Sequence, residues 1–350
     1  MAVKKRTADG QTSAALLPPP FNLPMFGIAG YSGSGKTALL DALLPRLRRK
    51  GLVVAVIKHD VHGMGVDHPG KDSDRLFRSG ADVLVQGPEE TFFRIHSPTG
   101  RESAPFPASA LLRYDLVLVE GWKAAAIPKV WLLKRGENAP PSDMTGLLAA
   151  LPPESDRLAA VTALLDRWLP SQWLKTPVFG CILLGGRNDR TGMLKRLTGE
   201  QRRTRLERTT ELLRSVTDCV VVAGPGKVPD GMEGIPRLPD APGIQGPMAA
   251  LLSATRWAPH VSWLMAAYDL PYLSLDVLQR LLSTRAPGVW ATMLKLPGHA
   301  GMEPVLAHYD FRARVLVEKL LAAQDFRLHH LLQSSKVVAQ SLDAPASFRV

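Results

Sequence analysis

Cysteine is almost absent from this 350-residue chain, with Cys181 and Cys219 the two that occur. Two thiols cannot make the multi-bridge framework of small secreted domains, so a reducing cytoplasm with both thiols buried is expected. Long apolar runs are missing too. No stretch reaches the ~18 residues that a membrane-spanning helix needs, and no membrane partner is expected. Aromatic residues are sparse, at 6%. Neither a Cys/His finger spacing nor an aromatic ribonucleoprotein pattern occurs, so the formal charge of +11 does not point to nucleic acid. It points to a basic surface that handles small polyanions. Residues 1–24 have a basic start, a short apolar stretch and three consecutive prolines. They are expected to be a disordered tail and not a signal peptide.

What is present suits two globular domains, since the length allows ~100–200 residues for each. "MFGIAG" reads as a strand entering a glycine loop, and "TALLDALLPRLRRKG" as a helix with basic last turns and a glycine stop. "LVVAVIKHD" (52–60) is a β-branched run, as in a strand buried on both faces. "ADVLVQG", "ETFFRIH", "YDLVLVEG" and "PKVWLLKR" continue the alternation, which predicts a mostly parallel α/β sheet. From 136 the composition turns rich in Pro, Ser and acids, and "RLAAVTALLDRWL" reads as the last helix of the first domain. The expected division is 25–172 for that domain, 173–176 for a linker and 177–350 for a second α/β domain. In the second domain "VFGCILLGG", "DCVVVAG" and "VSWLMAAYD" read as strands. "TRLERTTELLRSV", "GPMAALLSATRW", "SLDVLQRLL" and "FRARVLVEKLLAA" read as helices, and "GVWATMLKL" and "KVVAQSL" as late strands.

The octapeptide "GYSGSGKT" (30–37) fits the phosphate-loop template in its required place, after a strand and before a helix. Gly30, Ser32, Gly33, Ser34 and Gly35 form the cradle, whose glycines let backbone N–H groups face the phosphates. Lys36 is expected to reach the β- and γ-phosphates and Thr37 to hold Mg²⁺. Acids are needed nearby. Glu120 closes the strand "YDLVLVE" at the carboxyl end of the sheet, where ligands of parallel sheets bind, and is read as a metal acid. Its structural alternative is a turn-capping carboxylate. Asp60 is either an outer partner of the metal or a turn residue. The loop "KHDVHGMGVDH" also gathers His59, His62, His68 and Asp67; its irregular spacing favours a solvated switch loop over a transition-metal site.

"GYSGSGKT", "VAVIKHD", "HPGKDSDR" and "DLVLVEGWK…IPKV", in that order over about 25–133, resemble the molybdopterin-guanine dinucleotide biosynthesis protein B family. The resemblance implies a P-loop NTPase fold and a GTP-binding, weakly GTP-hydrolysing adapter in molybdenum cofactor assembly. Lys71, Asp72 and Arg75 match a loop of that family and are expected to meet an anion or a partner. Asp72 could equally be the N-cap of the next helix.

A second glycine turn, "LLGGRNDRTGMLKR" (183–196), carries Arg187, Arg190, Lys195 and Arg196. From 186 to 208 there are eight Lys/Arg against three Asp/Glu, too biased for a salt-bridged surface helix. This stretch, "DAPGIQGPMAALLSA" (240–254), "MAAYDLPYLS" (265–274) and "GMEPVLAHYD" (301–310) resemble the molybdopterin-guanine dinucleotide biosynthesis protein A family. That implies a Rossmann-like nucleotidyltransferase domain that moves a guanylyl group from GTP to molybdopterin. By this resemblance Leu183, Gly185, Gly186, Arg187 and Asp240 contact the nucleotide. Lys195 and Arg190 neutralise the triphosphate, and Asp269 binds Mg²⁺. The sequence departs from the family at Thr191 and Leu194, and the family's Asn-rich "N-x-N-T-P-E-D" segment does not follow the late stretch.

The expectation is therefore a GTP-binding adapter joined to a guanylyltransferase, using GTP and Mg²⁺. Its partners would be molybdopterin and molybdoenzymes or cofactor-delivery proteins, and it is open to homo-oligomerisation. Three alternatives stay open: a second domain that only binds pterin or partner, a cytidylyltransferase, and a GTP-dependent metallochaperone built on the histidine loop.

Overall fold

The computed structural model describes residues 23–58, 67–96, 111–185, 199–228, 234–268, 270, 272–295 and 302–341. Two open sheets follow one another along the chain. The first holds five parallel strands in the order β2-β5-β1-β6-β7, namely β1 (Met25–Ala29), β2 (Val54–Lys58), β5 (Leu116–Glu120), β6 (Lys129–Leu132) and β7 (Leu147–Leu151). β1, β5 and β6 are buried throughout, as in a sheet covered on both faces, apart from charged ends at Glu120 and Lys129 that are buried as well. Helices α1 (Lys36–Arg49) and α3 (Arg157–Trp173) bring Leu39, Leu40, Leu43, Leu47, Val161, Leu165 and Leu169 into that core.

Several expectations need correcting. β2 is not buried on both faces: it is an edge strand, with Val56 exposed. The runs at 83–86 and 91–94 do not join the sheet. They pair only with each other as an antiparallel ribbon, β3 (Val83–Gln86) and β4 (Thr91–Arg94). Asp72 is not an N-cap, because helix α2 (Asp72–Arg78) is capped by Lys71, with no side-chain bond. Asp74 ties down this helix end instead. It accepts from Gly70 N at 2.9 Å, Arg94 at 3.0 Å and Arg78 at 2.8 Å, and these bonds hold its carboxyl down at about 2. β7 was not expected, since its "LLAAL" lies in a Pro- and Ser-rich stretch and is only partly buried. Cys181 is buried and Cys219 only half-buried. Burial, with Asp240 nearby, pushes the Cys181 thiol up to about 12.

The second sheet has seven strands in the order β10-β9-β8-β11-β13-β12-β14. They are β8 (Val178–Leu183), β9 (Cys219–Ala223), β10 (Arg237–Leu238), β11 (Ser262–Ala267), β12 (Ala291–Lys295), β13 (Met302–Tyr309) and β14 (Val337–Ser341). β13 runs against its neighbours, and the rest are parallel. Alternation sorts the core into two layers. Cys181, Trp263 and Met265 face α5 (Pro247–Trp257) and α7 (Ala313–Ala322). Ile182, Leu264 and Ala266 face α4 (Gly199–Arg214) and α6 (Leu275–Ser283). Ser274 caps α6 by accepting from Val277 N at 3.4 Å. Among the described residues no helix is long and apolar enough to cross a membrane.

Candidate functional site

Parallel strands place both glycine loops at carboxyl-terminal sheet ends. At the first, the chain leaves β1 at Gly30, where φ is +153° and a Cβ would lie 2.4 Å from Ser34 Oγ and 2.8 Å from Leu132 O. No other residue type fits that approach. Gly35 caps α1 in the left-handed region, with no side-chain cap bond and no acid in the first turn. The free N–H groups of the helix start are thereby left to an anion. Ser32 and Gly33 are exposed at the tip, and the buried Ser34 Oγ has no partner among the described residues.

Lys36 folds back over the loop, donating to Gly30 O at 3.2 Å and Tyr31 O at 2.9 Å. Burial holds its pKa below the ordinary lysine value; Glu120 opposes this, and Lys123, Lys134 and Lys58 reinforce it. Thr37 Oγ1 donates to Glu120 Oε1 at 2.9 Å. A hydroxyl and a carboxylate side by side are the hard oxygen donors that Mg²⁺ takes, so these residues fit the ion expected here. Lys123, from the "VEGWK" segment, stands 4.1 Å over the Tyr31 ring, so two segments distant in sequence meet at the loop.

Sequence reasoning missed Arg157. It donates to Ser34 O at 2.7 Å, Leu151 O at 3.1 Å and Pro152 O at 2.9 Å, and also to Leu133 O. One guanidinium thus ties the cradle to the ends of β6, β7 and α3. The available signal was a cation in the first turn of a helix, where the dipole disfavours it unless something else holds it. Asp60, His59 and His62 lie outside the described residues. Asp67 is engaged by Arg94 at 3.0 Å and Ser73 at 2.9 Å, and no metal-binding group of His, Cys, Asp and Glu occurs among the described residues.

At the second sheet, Leu183 ends β8 and Gly185 turns with φ +82°. This turn crosses the loop after β9: Gly226 N donates to Leu184 O at 2.9 Å, and a Cβ at Gly224 would lie 2.5 Å from that same oxygen. The "GPG" at 224–226 is a second element of this cradle that sequence reasoning missed. Asp240 stands past β10 at the same sheet end, and its Oδ1 is buried with no partner among the described residues. A buried, unpaired carboxylate oxygen costs on the order of 1–3 kcal/mol until a donor arrives. Gly186, Arg187, Arg190, Lys195 and Asp269 lie outside the described residues.

Comparison with known proteins finds two separate matches along the chain. The family described as molybdopterin guanine dinucleotide synthesis protein B matches residues 25–151, and that of the MobA-like NTP transferase domain matches 180–339. The chain is 42% identical over 121 residues to a molybdopterin-guanine dinucleotide biosynthesis adapter protein of Haemophilus influenzae, covering 34% of this chain and 67% of the relative. It is 36% identical over 126 residues to the adapter protein of Escherichia coli, covering 35% and 72%. A molybdenum cofactor biosynthesis bifunctional protein of Synechocystis is 28% identical over 157 residues, 44% of each chain.

Proposed function

Starting from a chain that belongs to the molybdopterin guanine dinucleotide synthesis protein B family and carries a MobA-like NTP transferase domain behind it, we propose that it joins a GTP-binding adapter to a guanylyltransferase making molybdopterin guanine dinucleotide. Residues 25–172 are taken as the adapter and 177–350 as the transferase. The observation that carries the reading is the Thr37–Glu120 contact, which closes a glycine cradle onto a metal acid. In the adapter, the loop amides and the start of α1 hold the triphosphate. Lys36 exchanges the carbonyls of Gly30 and Tyr31 for phosphate oxygens. Thr37 and Glu120, with Asp60 as the proposed outer partner, would hold a Mg²⁺ that would supply charge neutralisation for slow hydrolysis.

In the transferase, a phosphate oxygen of molybdopterin attacks the α-phosphorus of GTP, the bond to the β-phosphate breaks, and pyrophosphate leaves. Such a step asks the protein for in-line positioning and charge neutralisation. Gly185 and Gly186 bring backbone to the nucleotide, and the orphaned Asp240 Oδ1 is an acceptor for one of its N–H groups. Arg187, Arg190 and Lys195 balance the triphosphate, and Asp269 is the metal acid. A cytoplasmic location and docking to molybdoenzymes or delivery proteins follow from the same reading. Incubating the purified chain with molybdopterin, Mg²⁺ and either GTP or CTP tests it: guanine dinucleotide with pyrophosphate release is expected. Cytosine dinucleotide, or no dinucleotide from a chain that still binds GTP, would overturn the guanylyltransferase assignment.

A further inference from the structure

The two halves meet on a buried ion cluster. Asp115, at the start of β5, is fully buried. Its Oδ2 accepts from Val53 N of its own half at 2.6 Å. Its Oδ1 accepts from three groups of the other half: Gly288 N at 3.2 Å, Trp290 Nε1 at 3.0 Å, and the Arg312 guanidinium. Arg312, equally buried, also donates to Asp310 Oδ1 at 2.6 Å and lies 3.6 Å over the Trp173 ring. Lys336 reaches Asp115 Oδ2 at 3.5 Å and donates to Gly51 O. Two carboxylates thus offset the desolvated charge of Arg312 and Lys336. Arg285 donates to Trp173 O at 2.8 Å and Thr176 O at 2.7 Å. Phe311 packs into the first core and Val53 against the second.

Strand polarity gives this seam a direction. In the first half Gly51 and Val53 precede β2, Asp115 precedes β5, Trp173 ends α3 and Thr176 follows it. All lie at the amino-terminal end of the parallel strands, whereas the loop at 30–37 leaves the carboxyl end of β1. In the second half Gly288 and Trp290 precede β12, Lys336 precedes β14, and Asp310 and Arg312 follow the reversed β13. That is again the amino-terminal end, opposite Gly185, Gly224 and Gly226.

We propose that the two halves are docked back to back through the Asp115–Arg312 cluster, so that the two nucleotide cradles open at opposite ends of one rigid body. Eleven strand residues, five of β1 and six of β8, span ~35 Å at ~3.3 Å each before the seam is added. The glycine loop of one chain therefore neither reaches nor completes the transferase centre of the same chain. Any transfer between the sites passes through solvent or between two chains.

The inference rests on the proposed reading for what the cradles bind, but its test does not. Spin labels go on the full chain at Arg135→Cys and Lys227→Cys, both exposed just past the carboxyl ends of β6 and β9. Cys219→Ser removes the half-buried thiol. Electron–electron dipolar spectroscopy without nucleotide should give one narrow distance above ~30 Å, unchanged when GTP is added. A main peak below ~30 Å, with or without GTP, overturns the arrangement. Asp115→Asn, or the milder Trp290→Phe that removes only the indole donor, should at least double the width of the distribution. An unchanged width in both overturns the cluster as what holds the halves. Loss of dinucleotide synthesis would sink the proposed chemistry and leave this geometry standing, and a short distance would do the reverse.

Discussion

The two cradles solve one problem with different materials. The first is closed by side chains: Lys36 onto loop carbonyls, Thr37 onto Glu120, and Arg157 across three strand and helix ends. The second, in its described part, is closed by backbone: two glycine turns cross at Leu184 O, and one acid is left with an empty acceptor. A loop closed by its own side chains has to open those contacts for a ligand, which suits slow turnover. A backbone crossing with an orphaned carboxylate is completed by its ligand, which suits a site that binds, reacts and releases.

Side-chain deletions should separate the two most strongly. Lys36→Ala is expected to lower phosphate release from GTP by ~10²–10³-fold, the usual loss when a charge-stabilising donor is removed. Dinucleotide synthesis should change less than about twofold. Asp269→Ala should reverse the pattern. Phosphate and dinucleotide assays on both variants decide this, and parallel loss in each would erase the distinction between the cradles.

Arg157→Ala should come next. It removes several charge-assisted bonds to carbonyls, worth about 2–3 kcal/mol net, and should weaken GTP binding at the first cradle by roughly 10-fold or more. Calorimetric titration checks this, and an unchanged affinity would show that the bracing is irrelevant to binding.

A pH effect near neutrality should mark the second half. Burial, aided by Arg285, holds the His308 imidazole down at about 3, and its Nε2 has no partner among the described residues. The folded state keeps this ring neutral while the unfolded chain takes up a proton near pH 6.5. Stability is therefore lost as pH falls below ~6.5 towards 3, by up to ~1.4 kcal/mol per pH unit. Asp310, which burial pushes up to about 7, gains stability over the same range, so the His308 share is read as a difference between proteins: on going from pH 7 to 5 the unaltered chain should lose ~2 kcal/mol more than His308→Gln in urea unfolding. Equal slopes in both proteins would remove His308 as the cause.

The smallest effect is expected from the Ser274 cap, where Ser274→Ala should cost ~1 kcal/mol. Thermal unfolding of the second half should register it, while GTP hydrolysis at the first cradle stays unchanged.

What could be read from the sequence was local. The run before Glu120 is apolar at every position, and the glycine loop carries its strand, turn and helix within a few residues. What could not be read depends on partners far along the chain. Arg157 meets Ser34 across 123 residues, and Asp115 meets Arg312 across 197. β7 hid in a proline-rich stretch because an edge strand needs few buried side chains. The reversal of β13 has no local mark, because a strand's direction is set by its connections and not by its own residues. Asp72 was misplaced by one position because helix-start propensity cannot say which neighbour takes the cap; Asp74 reached back to Gly70 instead.

Counting bound nucleotide tests the two-cradle account most directly. Equilibrium dialysis of the intact chain, with Mg²⁺ and a slowly hydrolysed GTP analogue, should saturate at two equivalents, and Lys36→Ala should remove one of them. Saturation of the unaltered chain at a single equivalent, abolished by Lys36→Ala, would contradict the account.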